Sequence, residues 1–152
     1  MYIFVAVGYI CPVMMITLSE SDIESVQQSF ARLLQSAQPV GPTFYAHLFA
    51  AHPEVRPLFK SDPAEQSEKF ITMLAYIVSC LDNLDELDTV LQQLGKRHMA
   101  YKTEPSHYPA VKAALVSTIL ELDTDAEDMD SVITAWGQFY DLIAAKMLVF
   151  GQ

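Results

Sequence analysis

From about Leu18 onward, apolar residues recur every three or four positions, the period of a helix rather than a strand. Ile23, Val26, Phe30, Leu33, Leu34 and Ala37 form a first stripe. It is entered through Ser19-Glu20-Ser21-Asp22, and Ser21 with Glu24 fits a capping box one register on. Pro39 and Pro42 open a second helix carrying Val40, Phe44, Leu48 and Phe49. That helix must end near His52-Pro53, because the residue before a proline avoids helical backbone. Glu54 to Phe59 reads as a short helical turn. Pro63 starts a long helix to about Leu81, with Gln66, Phe70, Met73, Ile77 and Leu81 on one face. Asn83-Leu84-Asp85 leads into another, buried through Leu87, Val90, Leu91 and Leu94. Pro105 and Pro109 bracket a joint and open a helix with Val111, Leu115 and Ile119. The last helix spans about Met129 to Phe150 through Val132, Trp136, Phe139, Tyr140, Ile143 and Met147. Strand-like alternation is scarce after residue 17, and no repeat or low-complexity linker is visible. The pattern predicts one all-α domain over residues 18–152.

Residues 1–17, MYIFVAVGYICPVMMIT, break this pattern: they are apolar and uncharged. A spanning helix needs about 20 residues, and Pro12 interrupts this stretch. A secretory leader carries Lys or Arg at its start and a small-residue cleavage site. Neither is present, and Ile10 before Cys11 does not suit lipoprotein processing. The readings that stay open are a start at Met14 or Met15, a disordered or packed extension, and, least favoured, a membrane anchor. A cytoplasmic location is the expectation.

Composition narrows the function. A length of 152 residues suits one domain with a real core. The hydrophobic fraction of 51% leaves room for a large interior or for something apolar held inside it. A net charge of −10 argues against nucleic acid and anionic membrane surfaces, which both need a basic footprint. Cys11 and Cys80 are too few for a disulfide framework, and no CxxC pair for zinc is present.

Of the four histidines, His98 is the informative one. Continuing the stripe Leu87, Leu91, Leu94 puts a polar ring where a core residue belongs. Either it is a core histidine satisfied by a backbone carbonyl, or it ligates a metal while its second ring nitrogen donates to the Leu94 carbonyl. No histidine, cysteine or carboxylate at the following turn builds a zinc site, since Lys102 stands there. A lone ligand histidine points to an iron whose in-plane ligands come from a porphyrin. With no CxxCH sequence, that haem would be held non-covalently. His47 reads as a surface or inter-helix residue and His52 as a joint residue, while His107 stands at a helix start. The acidic run Glu121 to Asp130 lacks the glycine and the terminal glutamate of a calcium loop. It reads as a solvated loop with charge at a helix start. No Walker sequence, GxGxxG or GxSxG is present.

Several stretches then meet a known family. Phe44-Tyr45-Ala46-His47-Leu48-Phe49 and His52-Pro53-Glu54-Val55-Arg56-Pro57-Leu58-Phe59 resemble the second and third helices of bacterial haemoglobins. Leu94-Gly95-Lys96-Arg97-His98, followed by His107-Tyr108-Pro109-Ala110-Val111, looks like their proximal-histidine motif and the helix after it. Ala135-Trp136-Gly137 with Tyr140 matches the last helix. The likeness covers about residues 19–148. It is closest to single-domain globins and the globin domain of flavohaemoglobins.

The resemblance implies a globin fold around haem b. It makes His98 the proximal iron ligand, Phe59 the phenylalanine packed on the porphyrin, and Tyr45 with Gln66 the distal pair facing ligand. Phe70, one turn beyond Gln66, borders the same pocket. Tyr108 matches a tyrosine near the proximal histidine, and Arg97 and His107 are weaker candidates for the haem propionates. Taken alone, Tyr45 is equally an inter-helix tyrosine and Gln66 a surface residue. Flavohaemoglobins also bond the proximal histidine to a glutamate late in the last helix. Leu148-Val149-Phe150-Gly151 offers no carboxylate there, so peroxidase-like activation is not implied.

Four functions follow from the likeness. The first is reversible binding of dioxygen, and of nitric oxide or carbon monoxide. The second is nitric oxide dioxygenation with electrons from an external reductase, since no flavin or nicotinamide domain is visible in these residues. The third is a gas sensor read by another protein. The fourth is a haem-free regulator, which His98 and Phe59 together disfavour.

Overall fold

The computed structural model describes residues 18–100 and 106–150, with the side chains of residues 99, 100 and 150 excepted. Residues 1–17, with every reading of them, and Lys102 and Gly151 lie outside the described residues. The described chain forms α1 (Glu20–Leu34), α2 (Val40–Ala51), a 3-10 helix (Pro53–Leu58), α3 (Pro63–Ser79), α4 (Leu84–Ala100), α5 (His107–Leu122) and α6 (Met129–Phe150). No strand occurs among the described residues. None of their helices is long and apolar enough to cross a membrane.

Local chemistry sets the helix ends. Ser19 caps α1: its hydroxyl accepts from the Asp22 N–H at 3.0 Å, while the Asp22 carboxylate accepts from the Ser19 N–H at 3.4 Å. The capping box therefore lies on Ser19 and Asp22 rather than Ser21 and Glu24, because an aspartate at the third helical position closes it one turn earlier. His52 takes φ −136° and ends α2 ahead of Pro53, as the proline requires. Asp62 caps α3 by accepting from the N–H groups of Ala64 and Glu65. Asn83 does the same for α4, accepting from Glu86 N–H at 3.2 Å.

α6 is the spine of the fold: α1, α4 and α5 all pack on it, while α2 packs on α5 and α3. Trp136 lies at its centre, fully buried, 6.4 Å from the Phe30 ring and edge-on to Phe139 at 5.3 Å. Removing such an aromatic side chain from water contributes about 1.5–3 kcal/mol, and its indole N–H still needs an acceptor.

That acceptor begins a buried polar chain. Trp136 Nε1 donates to Ser29 Oγ at 2.9 Å, and Ser29 Oγ donates to Asp123 Oδ2 at 2.6 Å. Arg32 closes it with two hydrogen bonds to the Asp123 carboxylate, at 2.6 and 2.9 Å. The Asp123 hydrogen bond holds the Arg32 guanidinium above its ordinary pKa. Asp123 is 1% exposed, so this residue of the acidic run is not part of a solvated loop. Removing one partner from such a network leaves the others unsatisfied. Asp123→Ala is therefore expected to cost about 3 kcal/mol of stability, read as a shift of the urea midpoint.

Two stripes differ from their sequence reading. Leu34 is 55% exposed and Ala37 lies beyond α1, so that helix buries only Val26, Ser29, Phe30 and Leu33. In α3 the buried face runs through Ser67, Leu74, Ile77 and Val78, while Gln66, Phe70 and Met73 are half-buried beside it.

Candidate functional site

An aromatic cluster gathers where α2, α3 and the end of the 3-10 helix meet. Tyr45 is buried on α2, edge-on to Phe59 at 5.3 Å and to Phe70 at 5.8 Å, with Phe49 alongside at 5.6 Å. Into this apolar setting α3 projects the Gln66 amide, which donates to the Tyr45 phenol oxygen at 3.1 Å. With its oxygen accepting, the phenol keeps its own proton for a third group. Burial raises the Tyr45 pKa, only partly offset by the Gln66 bond, so the phenol stays a neutral donor.

α4 presents the opposite chemistry. Leu87 and Leu91 are fully buried, and the same stripe continues through half-buried Leu94 and His98. His98 Nδ1 lies 2.9 Å from the Leu94 carbonyl oxygen. A carbonyl can only accept, so Nδ1 carries a proton, and in the neutral ring Nε2 then holds the lone pair. Burial pushes the His98 pKa below its ordinary value, the Leu94 bond pulls it back in part, and neighbouring Arg97 lowers it further. The lowered pKa favours the neutral imidazole, the form that ligates metals. α3 rests on α2 and α1 while α4 rests on α6, so Gln66 and His98 stand on helices braced by different neighbours.

Residues 42–147 match the family model of the globins. The chain belongs to the globin family. An uncharacterised globin-like protein of Aquifex aeolicus is 28% identical over 86% of this chain and 92% of its own. A flavohemoprotein of Bacillus thuringiensis subsp. konkukian is 30% identical over 84% of this chain. This globin spans 32% of that flavohemoprotein's length. Among solved structures, an engineered carbene transferase of Rhodothermus marinus, a candidate nitric oxide dioxygenase, superposes with a TM-score of 0.77. It is 26% identical, over 89% of this chain and 94% of its own.

The globin brings four of the expected residues, Tyr45, Phe59, Gln66 and Phe70, into mutual contact or within one contact of Tyr45. Tyr108 is half-buried at the start of α5, and burial raises its pKa. Tyr140 on α6 is shifted up more strongly by burial, with Tyr108 close enough to add to it. Arg97 is exposed at the end of α4, and His107 is half-buried at the start of α5. Glu54 is held below the usual carboxylate range by its own backbone N–H and by His52, with His107 adding from farther off. His47 joins α2 to α5 through Glu121 at 3.2 Å, the inter-helix one of the two roles read from sequence.

Two contributors are not singled out by sequence reasoning. Phe44 stacks on Phe70 with centroids 4.2 Å apart and planes 12° apart, which fixes the Phe70 ring from behind. Gly41 is where α2 touches α3: a β-carbon there would stand 2.7 Å from Ser67 Cβ and 3.1 Å from the Ser67 carbonyl oxygen. Ser67 adjoins Gln66, so Gly41→Ala must push α3 outward and carry the Gln66 amide off Tyr45. The overpacking is expected to cost about 1–3 kcal/mol, visible as a lowered thermal midpoint.

Proposed function

We propose that this globin holds one non-covalent haem b through His98 and reversibly binds dioxygen, nitric oxide or carbon monoxide on the face bearing Tyr45 and Gln66. The observation carrying this reading is the His98 ring, half-buried at the end of an apolar stripe and fixed as the Nδ1–H tautomer by Leu94. That is the donor an iron porphyrin requires, with its second ring nitrogen oriented by a backbone carbonyl. The surroundings fit as well: half-buried Phe59, Phe70, Leu94 and Tyr108 offer apolar flanks for a porphyrin face. When bound, the haem would supply an iron able to take a diatomic gas. Phe59 and Phe70 would then pack on the macrocycle, Arg97 and His107 would meet its propionates, and Tyr108 would lie beside the His98 ring. Tyr45 donates its hydroxyl proton toward the ligand while Gln66 orients the phenol. We take the globin domain as residues 18–152 and its working place as the cytoplasm.

A second reading, nitric oxide dioxygenation with an external reductase, is supported by the flavohemoprotein relatives and the Rhodothermus marinus structure. Tyr45 and Gln66 serve it equally. Leu148 and Val149 are apolar, so that stretch of α6 carries no carboxylate.

The test is an absorption spectrum of the purified chain with haem, in ferric, ferrous and carbon-monoxide forms. Stoichiometric uptake of a b-type haem that shifts with carbon monoxide is the expected result, and nitric oxide consumption with an added reductase separates the two readings. A folded chain that takes up no haem overturns both.

A further inference from the structure

The Tyr45 ring touches four phenyl rings, those of Phe44, Phe49, Phe59 and Phe70. Phe59 and Phe70 are assigned to the porphyrin face, and Phe44 backs Phe70. Phe49 belongs to neither group. It stands one turn after Tyr45 on α2, where residues i and i+4 are neighbours on the helix surface. Their ring planes are 28° apart and their centroids 5.6 Å apart. The same Phe49 ring meets Phe59 at 5.4 Å, edge-on. Tyr45 and Phe59 are themselves 5.3 Å apart, so the three rings form a closed triangle.

A closed triangle holds each ring more firmly than a single pair does. A ring that swings about its χ1 bond loses two contacts at once, and each offset or edge-on pair contributes beyond its burial. The triangle also spans a break between helices. Tyr45 and Phe49 lie on α2, Phe59 caps the C-terminal end of the 3-10 helix, and His52 separates the two helices. The 3-10 helix holds Phe49 at a second point: the Arg56 guanidinium covers one face of its ring, 4.7 Å from the centroid. Phe49 is half-buried and Arg56 exposed, so this grip runs from the surface to the buried phenol. Gln66 meanwhile fixes only the phenol oxygen, from α3. A hydrogen bond weakens steeply with misalignment, so whatever sets the tilt of the Tyr45 ring also sets the strength of the bond it can offer.

We propose that Phe49 is a positioning residue of the ligand face: it holds the Tyr45 ring in its donating orientation and ties that orientation to Phe59. The inference rests on the haem reading above, and its action on the ligand runs through the Tyr45 hydroxyl.

The test places Phe49→Leu, which keeps an apolar side chain without a ring, in the wild-type chain and in Tyr45→Phe. In the ferrous haem-loaded chain, Phe49→Leu is expected to speed dioxygen dissociation about 2–10-fold, the equivalent of one aromatic pair. The infrared stretch of bound carbon monoxide is expected to gain a second band at the frequency of Tyr45→Phe, the mark of molecules whose phenol has turned away. In Tyr45→Phe the same substitution should leave that band in place and dissociation within about 2-fold. Equal acceleration in both backgrounds overturns the inference, because Phe49 then acts on the fold rather than on the phenol. An unchanged rate in the wild-type chain overturns it too. The flip rate of the Tyr45 ring needs no haem: it is read by NMR on a chain with isotope-labelled tyrosine, the signal assigned by its loss in Tyr45→Phe. Phe49→Leu is expected to raise it about 2–10-fold, and an unaltered flip rate overturns the proposal. Arg56→Ala, a surface change, should raise both rates by about 2–5-fold, and it carries the test if Phe49→Leu does not fold. If the chain takes up no haem, the proposed function fails, and the flip rate still reads the brace.

Discussion

His98→Gly is expected to abolish stoichiometric haem retention, and imidazole added at about 10 mM is expected to restore a b-type spectrum. Rescue separates ligation from a structural role. A glycine at position 98 removes the ring but leaves the Leu94 carbonyl facing the space, and a free imidazole can take up the same hydrogen bond while presenting its other nitrogen. A histidine that only satisfied the Leu94 carbonyl would give a variant with unchanged haem uptake. Acidification probes the same atom from the other side. The folded-state pKa of His98 is lowered by burial, so folding favours the neutral ring. Above the unfolded value, about 6.5, the ring is neutral in both states and nothing is lost. As pH falls below it, the unfolded chain takes up a proton that the folded one resists, and stability declines until the folded pKa is passed. Haem affinity is expected to fall in the same direction, because a proton and iron compete for Nε2. Haem transfer to an apo-acceptor, followed from pH 7.5 to 5, reads this. A pH-independent rate that matches the glycine variant would remove His98 from the iron.

The stripe Leu87, Leu91, Leu94 and His98 is legible in the sequence, because a polar ring at a core position of a regular helix is an anomaly that periodicity exposes. The order of the elements is legible for the same reason, and His52-Pro53 marks a boundary by steric exclusion alone. α3 is harder. Periodicity finds an apolar face but not what that face meets. It groups Gln66, Phe70 and Met73 with Ile77 and Leu81, although Ile77 and Leu81 are buried and the other three are only half-covered. A site that binds an apolar group looks, in sequence, like more core. Asp123 is misread for a different reason. Its partners Ser29 and Arg32 are 94 and 91 residues earlier, so an acidic neighbourhood suggests solvent where the fold supplies a guanidinium and a hydroxyl. The close approach at Gly41 depends on where α3 passes, which no local pattern records. Phe44 is visible as an apolar residue of α2, but its stacking on Phe70 belongs to the crossing of two helices.

The other large effect is expected at Tyr45. Tyr45→Phe should speed dioxygen dissociation on the order of 10–100-fold, the loss of one hydrogen bond to a partly charged acceptor at about 1.5–3 kcal/mol. On the proposed reading, Tyr45 rather than Gln66 is the principal donor. The Gln66 amide spends one of its two N–H groups on the phenol oxygen, 3.1 Å away, and as acceptor of that bond the phenol keeps its own proton to point at a ligand. Gln66→Leu should accordingly have the smaller effect, a few-fold, acting through a phenol that has lost its orienting partner. The double variant should dissociate little faster than Tyr45→Phe alone, because groups in one hydrogen-bond chain couple by about 0.5–3 kcal/mol rather than add. Carbon monoxide is the control: it draws less negative charge onto its outer atom, so its dissociation should change far less. Flash photolysis and stopped-flow exchange measure both gases on the same samples. If the two single variants multiply, each side chain reaches the ligand independently. If Tyr45→Phe leaves dioxygen dissociation unchanged, the phenol is an inter-helix residue of the aromatic cluster and the ligand face lies elsewhere.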